Sequence, residues 1–296
     1  MTALLDLVRH HAHTHAPGGG IAATPIPGLA AVHALAPSGL AHDIQRPLAC
    51  LVLQGAKEVT MGTRTFAFAA GDTLVIAADL PTQSRIVQAS AAAPYCSLVM
   101  EIDPAVVADL VADMDTAPDL VAAPIGVEPT DAELAEAALQ LMRLLARPAA
   151  LPVLQAQHVR EMHYWLLAGR HGPAIRRLAW PSGSAQRVAR AVAALRAGYD
   201  RPLPVERLAA MSDMSVSAFH AHFRAATSLT PLQFQKRLRL IEARRRMLAE
   251  GVPAGIAAHG VGYASVPQFT REYARMFGQP PVRETDAVRQ RAQAVG

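Results

Sequence analysis

Between Pro204 and Arg283 the chain spells one local pattern twice, and this repetition restricts the possible folds more than any other feature. In the first copy Leu208-Ala209 opens a short helix, Met211 to Met214 make a turn, and Ser215 caps a second helix carrying Phe219 and Phe223. The second copy runs through Ile256-Ala257, then Gly262-Tyr263-Ala264, then Ser265 with Phe269 and Tyr273. Ser215 and Ser265, Phe219 and Phe269, Phe223 and Tyr273, and Pro231 and Pro281 are each 50 residues apart, whereas Leu208 and Ile256 are 48 apart. The second turn is therefore expected to be two residues longer. A serine at a helix N-cap accepts a bond from an orphan amide, and aromatic side chains four apart share one helix face. Each copy reads as a helix-turn-helix whose second helix packs on its first.

Between the copies, Thr230 is expected to cap and Pro231 to begin a helix running to about Glu250, with Phe234, Leu238, Ile241 and Leu248 on one face. Twenty residues at about 1.5 Å each make a rod of roughly 30 Å, close to the roughly 34 Å pitch of B-DNA. Such a spacer suits two recognition helices to successive major-groove segments of one duplex. A preceding helix, Ala185 to Ala197, turns Val188, Val192 and Leu195 inward and leaves Arg187, Arg190 and Arg196 for water or phosphate.

Charge divides along the same line. Residues 1–175 hold 9 Lys/Arg against 16 Asp/Glu, and residues 176–296 hold 19 against 8, so an acidic part precedes a basic one. That asymmetry points to a polyanion partner for the second part only, and with the twin motif the partner is double-stranded DNA. No apolar run reaches the roughly 18 residues needed to span a bilayer, and Met1 to His15 lacks the apolar core of a signal peptide. A cytoplasmic protein with no membrane partner is expected.

Residues 1–20, with His10, His11, His13 and His15 before a glycine run, read as a flexible leader. From Ile26 to Asp103, short apolar runs alternate with turn residues: Leu48 to Gln54, Glu58 to Met61, Phe66 and Phe68, Leu74 to Ala77, and Tyr95 to Ile102. These predict antiparallel strands of a small barrel or sandwich, either holding a ligand or filled by its own side chains. Pro104 starts a helix, Thr130-Asp131 caps a longer one, and Val153 to Leu167 forms another. The last two make a helical pair, expected to serve as a dimer face or as internal packing. The expected layout is α+β: residues 21–170 as the β-domain with its helices, 171–183 as a linker, and 184–290 as an all-α domain.

The phrases "MSVSAFHAHFRAATSLTPLQFQKRLRLIEARRRML" and "VGYASVPQFTREYARMFGQPP" resemble the C-terminal DNA-binding domain of AraC/XylS-type transcription regulators. "TPIPGL", "PLACLVLQGAKEV" and "PYCSLVMEID" are similar to the N-terminal domain of one branch of that family, with members implicated in responses to aldehydes and other electrophiles. The resemblance implies a cupin-like barrel, a small-molecule effector that could be an aldehyde, homodimerisation, and activation of transcription with RNA polymerase as partner. It places the base-reading positions on Ser217, His220 and Ala221 in the first recognition helix, with Arg224 set for a phosphate, and on Val266, Pro267, Thr270 and Arg271 in the second. Ala221 stands where similar proteins usually carry arginine and offers only a methyl contact to thymine. Arg271 can bond two acceptors of guanine, worth about 1–3 kcal/mol of discrimination.

Cys50 matches the cysteine of that branch and Cys96 does not. A thiol in an apolar run is either inert packing or, for Cys50, a sensing group. No cofactor or metal site is expected. The His-x-His, Glu, His set of cupin enzymes is missing, since only His33 and His42 lie between His15 and His158. A cupin-type metalloenzyme fused to a DNA-binding module is the alternative to a regulator.

Overall fold

The structure, a computed structural model, describes residues 1–114, 123–179 and 183–293. It divides into two compact units, 1–186 and 187–296.

Among the described residues, ten strands of the first unit form two antiparallel sheets. They are β1 (Gly20–Ala23), β2 (Leu29–Ala34), β3 (Ala41–Gln45), β4 (Leu48–Gln54), β5 (Ala56–Met61), β6 (Arg64–Ala69), β7 (Asp72–Ile76), β8 (Leu80–Gln88), β9 (Tyr95–Glu101) and β10 (Ile125–Pro129). Six run in the order β1-β2-β9-β4-β7-β10 and four in the order β3-β8-β5-β6. The near-continuous apolar run of β4 follows from its central place. Alternate residues of a strand face opposite ways, so Ala49, Leu51 and Leu53 enter one core while Cys50 and Val52 enter another between the sheets. Gly55 takes φ +80° at the end of β4, where a Cβ would come within 2.4 Å of the Gln88 carbonyl oxygen, so the bend there requires glycine.

The core on the far side of the six-stranded sheet is closed by α1 (Thr2–His15), α2 (Pro104–Met114), α3 (Ala132–Leu144), α4 (Leu151–Ala168) and α5 (Gly172–Arg176). Leu134, Ala138 and Leu141 of α3 turn into that core, so this face of the helical pair is internal packing. Two expectations are corrected here. Residues 2–15 are helix rather than a flexible leader, because Leu4, Val8 and Ala12 recur every four residues and are fully buried. Burying a leucine or valine side chain contributes about 1.5–3 kcal/mol, so α1 is anchored. Its His11 Nε2 donates a 3.0 Å bond to the Ala23 carbonyl, and the ring stacks on His15. The 171–183 segment is also no simple linker: α5 lies within it, and Ile175 and Ala179 are buried in the same core. Residues 180–182 of that segment lie outside the described residues.

The second unit is helical: α6 (Ser184–Ala197), α7 (Val205–Met211), α8 (Val216–Thr227), α9 (Pro231–Ala249), α10 (Ala254–Gly260), α11 (Val266–Phe277) and α12 (Pro281–Gln293). Helix α9 starts with a capping box in which Thr230 and Gln233 satisfy each other's backbone amides. Its buried face is Phe234, Leu240, Ala243 and Met247, with Leu238, Ile241 and Leu248 only half-buried, a rotation from the expected stripe. The reason is that α9 meets α8 on one side and α10, α11 and α12 on others. No helix among the described residues is long and apolar enough to cross a membrane.

Candidate nucleic-acid interface and an internal cavity

Helix α8 begins where Ser215 accepts the Ala218 amide at 3.3 Å. Phe219 and Phe223 turn inward, their rings 5.4 Å apart, and Phe223 meets Phe234 of α9 edge-on at 5.6 Å. Burying that stripe fixes which residues remain outside: Ser217, His220, Ala221 and Arg224 are all exposed, and so is His222. Helix α11 is built alike. Ser265 accepts the Gln268 amide at 3.4 Å, and Phe269 and Tyr273 are fully buried. Pro267 and Arg271 are exposed, whereas Val266 and Thr270 are half-buried and Val266 packs against the second aromatic core. Exposed Gln268 and Arg275 lie on the outer side of α11 and were not among the expected contacts. Arg275 follows Arg271 by one helical turn, a spacing visible in the sequence. The side chains of Arg224, Arg271 and Arg275 make no hydrogen bond or ion pair among the described residues.

The turns differ by one residue rather than the expected two. Leu208-Ala209 corresponds in space to Ala257-Ala258, the buried pair of α10, while Ile256 is 63% exposed. The Met214 amide donates to Ala209 and the Tyr263 amide to Ala258, so the helices match at an offset of 49 and Ser215 and Ser265 at 50. Each turn passes through the left-handed region, at Asp213 (φ +50°) and Gly262 (φ +88°). Asp213 is gripped by two arginines of α6: Arg190 donates to its carboxylate at 2.5 Å and Arg187 to its carbonyl at 3.2 Å. These two are thus not left over for solvent or phosphate, and Arg196 also has a partner.

Around the second copy the contacts are polar as well as aromatic. Glu272 of α11 accepts Lys236 Nζ at 2.6 Å, Tyr263 Oη at 2.8 Å and Gln268 Nε2 at 3.1 Å. Burial alone would raise its pKa, yet the bonds from Lys236, Tyr263 and Gln268 hold it below the usual carboxylate range. Tyr263 is pushed up, by burial and then by its bond to Glu272. Tyr273 donates to Glu284 of α12 at 2.8 Å, and Arg244 grips the same carboxylate at 2.7 Å. Arg239 joins α9 to the turn through the Gly262 carbonyl at 3.0 Å.

Between the two sheets of the first unit lies a cavity of about 400 Å³ that opens to solvent on one side. Its wall on the six-stranded side includes Leu48, Cys50, Leu74, Ile76 and Val99, and on the four-stranded side Lys57, Val59, Phe68, Thr82 and Ser84. Side chains such as Cys50, Val59, Phe68, Leu74 and Ile76 pack part of the interior, and the cavity lies beside them. Cys50 is only 3% exposed, and its sulfur lies 3.9 Å from Tyr95 Oη. Cys96 lies outside the lining, its thiol pushed up to about 11 by burial. Among the described residues no three His, Cys, Asp or Glu side chains gather as a metal site.

Residues 25–174 match the family model of the AraC-type transcriptional regulator N-terminus, and residues 208–285 that of a helix-turn-helix domain. Over 88 residues, 30% of this chain and 31% of the relative, the sequence is 38% identical to the RCS-specific HTH-type transcriptional activator RclR of Escherichia coli (strain K12). Over 87 residues, 29% of this chain and 31% of the relative, it is 28% identical to the HTH-type transcriptional activator RhaS of Pectobacterium carotovorum subsp. carotovorum (strain PC1). The chain thus spans 31% of the length of the curated relatives it matches. Apo ToxT from Vibrio cholerae strain SCE256 has the same fold, with a TM-score of 0.60 at 7% identity over 89% of this chain and 98% of its own.

Proposed function

Since this chain belongs to the AraC-type transcriptional regulators, we propose that it activates transcription by reading a promoter site with α8 and α11, under control of a small molecule held in the β-unit. The observation carrying this reading is the pair of capped helices, each with its aromatic stripe buried and its opposite face exposed. A face that carries Ser217, His220, Ala221 and Arg224 in one case, and Pro267, Thr270, Arg271 and Arg275 in the other, offers base-edge and phosphate contacts to a major groove. Val266, half inside its own core, contributes at most its outer methyl. Helix α9, 19 residues or about 28 Å long, joins the two heads and packs against both.

Arg271 reads guanine in this scheme and Arg224 holds a phosphate. Footprinting of the full chain on its promoter checks both. Arg271→Ala is expected to relax base preference in one half of the site and leave general binding, whereas Arg224→Ala weakens binding to all sequences alike. Retained preference in the Arg271 variant removes that assignment. RNA polymerase and a second copy of the chain are the proposed protein partners; two copies raise occupancy of paired sites through effective concentration.

The effector site is the cavity, and Cys50 is the group an aldehyde or other electrophile would meet there. An aldehyde carbon would bond the sulfur while the thiol proton passes to the carbonyl oxygen. RclR, described as specific for RCS, is a relative over the matched 88 residues only, so the support for Cys50 is its place in the cavity wall. Cys50→Ser is expected to abolish an aldehyde-driven change in promoter occupancy, and a fully responsive variant removes the thiol from the mechanism.

A further inference from the structure

His33 of β2 and Cys96 of β9 stand directly opposite each other in an antiparallel pair. Alternation puts Cys96 on the side of β9 that carries Leu98 and Met100, and His33 on the side of β2 that carries Leu29 and Ala31. Both therefore turn toward the core closed by α1 and away from the cavity, whose lining includes neither. Opposite side chains on one face have Cβ atoms about 4.5–5.5 Å apart. Cys96 is fully buried, His33 is 3% exposed, and His33 Nδ1 is buried with no hydrogen-bond partner among the described residues. On the other side of Cys96 the register places Gln54 of β4, past a bulge, and its Oε1 is likewise buried without a partner.

Buried polar groups without partners are costly, and a native fold keeps few of them. Burial holds the His33 ring below its ordinary pKa, with the charge of His13 adding to the effect, so the ring is neutral at neutral pH and can offer a lone pair. Cys96 is a protonated thiol on its own, and a cation that takes its sulfur must displace that proton. A monovalent ion held by one thiolate and one neutral imidazole carries no net charge, so it escapes the penalty of a buried ion. A zinc ion on the same pair would leave a positive charge inside and lack half of its usual tetrahedral ligand set.

We infer that Cys96 and His33 hold a single copper(I) ion on the α1 side of the six-stranded sheet. Thiolate and imidazole are donors that this soft ion selects, and copper(I), with its filled d shell, accepts two ligands in line. On binding, the ion bonds Cys96 Sγ and His33 Nδ1 while the thiol proton leaves to water, with no change of oxidation state. Gln54, the other neighbour of Cys96, adds an amide oxygen to the row as a weaker donor. The way in is along α1, where exposed Arg9 and His13 lie close enough for their charges to bear on Cys96 and His33 respectively. His13 offers the ion a first imidazole at the surface. The site is separate from the effector cavity, so the inference does not depend on what that cavity holds.

Anaerobic competition between the full chain and bicinchoninate for copper(I) tests it. The wild type is expected to take a single equivalent, and absorption at the copper K edge to show one sulfur and one nitrogen donor. Cys96→Ser and His33→Gln are each expected to weaken binding at least about a hundredfold, since loss of a direct ligand costs no less than loss of an outer partner. Cys50→Ser, and His10→Gln combined with His15→Gln, are expected to leave it unchanged. Should either ligand variant fail to fold, the wild-type absorption spectrum decides alone, and two sulfurs or no sulfur at the copper overturns the site. Copper(I) left entirely with bicinchoninate overturns it too, as does equal affinity in Cys96→Ser or binding lost in the Cys50 or surface-histidine variants.

Discussion

In the first helix-turn-helix, α8 rests on carbon, with Phe219 and Phe223 against Phe234, and its turn is tied to α6 by Arg187 and Arg190 at Asp213. In the second, α11 keeps the aromatic pair but adds carboxylates: Glu272 gathers Lys236, Tyr263 and Gln268, and Glu284 gathers Tyr273 and Arg244. The outer faces differ in the same sense, since α8 presents Ala221 where α11 presents Arg271. Apolar contacts set distance but not direction, whereas hydrogen-bonded carboxylates fix orientation as well. The head that carries Arg271, the proposed guanine reader, is the one whose orientation is fixed, as a bidentate contact to guanine would demand.

The comparison breaks most sharply at the turns. A Cβ on Gly262 would come within 2.0 Å of the Asp200 carbonyl oxygen, at a φ of +88°. Gly262→Ala is expected to cost about 2–4 kcal/mol, read as a shift in the urea unfolding midpoint. Asp213→Gly at the equivalent place relieves about 1 kcal/mol of left-handed strain and gives up an exposed ion pair worth no more than about 1 kcal/mol, so its midpoint should barely move. Equal effects at the two sites would mean that the turns are held alike after all.

Removing the polar clasp comes next in size. Glu272→Ala leaves Lys236 and Tyr263 without their acceptor and is expected to cost about 2 kcal/mol, with base preference lost in the half-site read by α11. On the outer face, Ala221→Arg is expected to give the first head about 1–2 kcal/mol of new discrimination at one base pair, measured against a panel of single-base promoter variants. Gain of affinity for all sequences alike would assign position 221 to a phosphate instead.

How much of this was readable in advance follows from where each signal resides. The recognition helices were legible because Ser, Phe or Tyr, and Pro recur at fixed intervals, and caps and buried stripes are local. The turn length was misjudged because Ile256 looks like the match for Leu208, while the packed pair is Ala257-Ala258 and small residues carry little hydrophobic signal. Helix α1 was hidden by its histidines, although Leu4 and Val8 already stood four apart. Strand β8 was missed because Thr82 and Ser84 face a cavity rather than a packed core, which removes the apolar alternation. The lysine in that cavity is invisible without register, since Lys57-Glu58 reads as an exposed charged pair until β5 is aligned with β6 and β8.

The smallest expected difference between the heads is in acid. Glu272 is held below its ordinary value of 4.5, with burial opposing and the bonds from Lys236, Tyr263 and Gln268 prevailing. Glu242 of α9 is lowered as well, first by its bond from Arg245 and also by that from Arg246, which reaches the Gly260 carbonyl at the end of α10. For a carboxylate whose folded pKa lies below its unfolded one, the unfolded chain takes up the proton first. The stability these groups contribute is therefore present above about pH 4.5 and is lost as the pH falls through the folded values. The aromatic contact under α8 contains no such group. Amide hydrogen exchange followed from pH 5.5 down to about pH 3 should show α11 losing protection before α8, after correction for the intrinsic exchange rate. Glu272→Gln, which cannot titrate, is expected to remove most of that pH step, and parallel loss of protection in both helices would sever the link between the clasp and the second head.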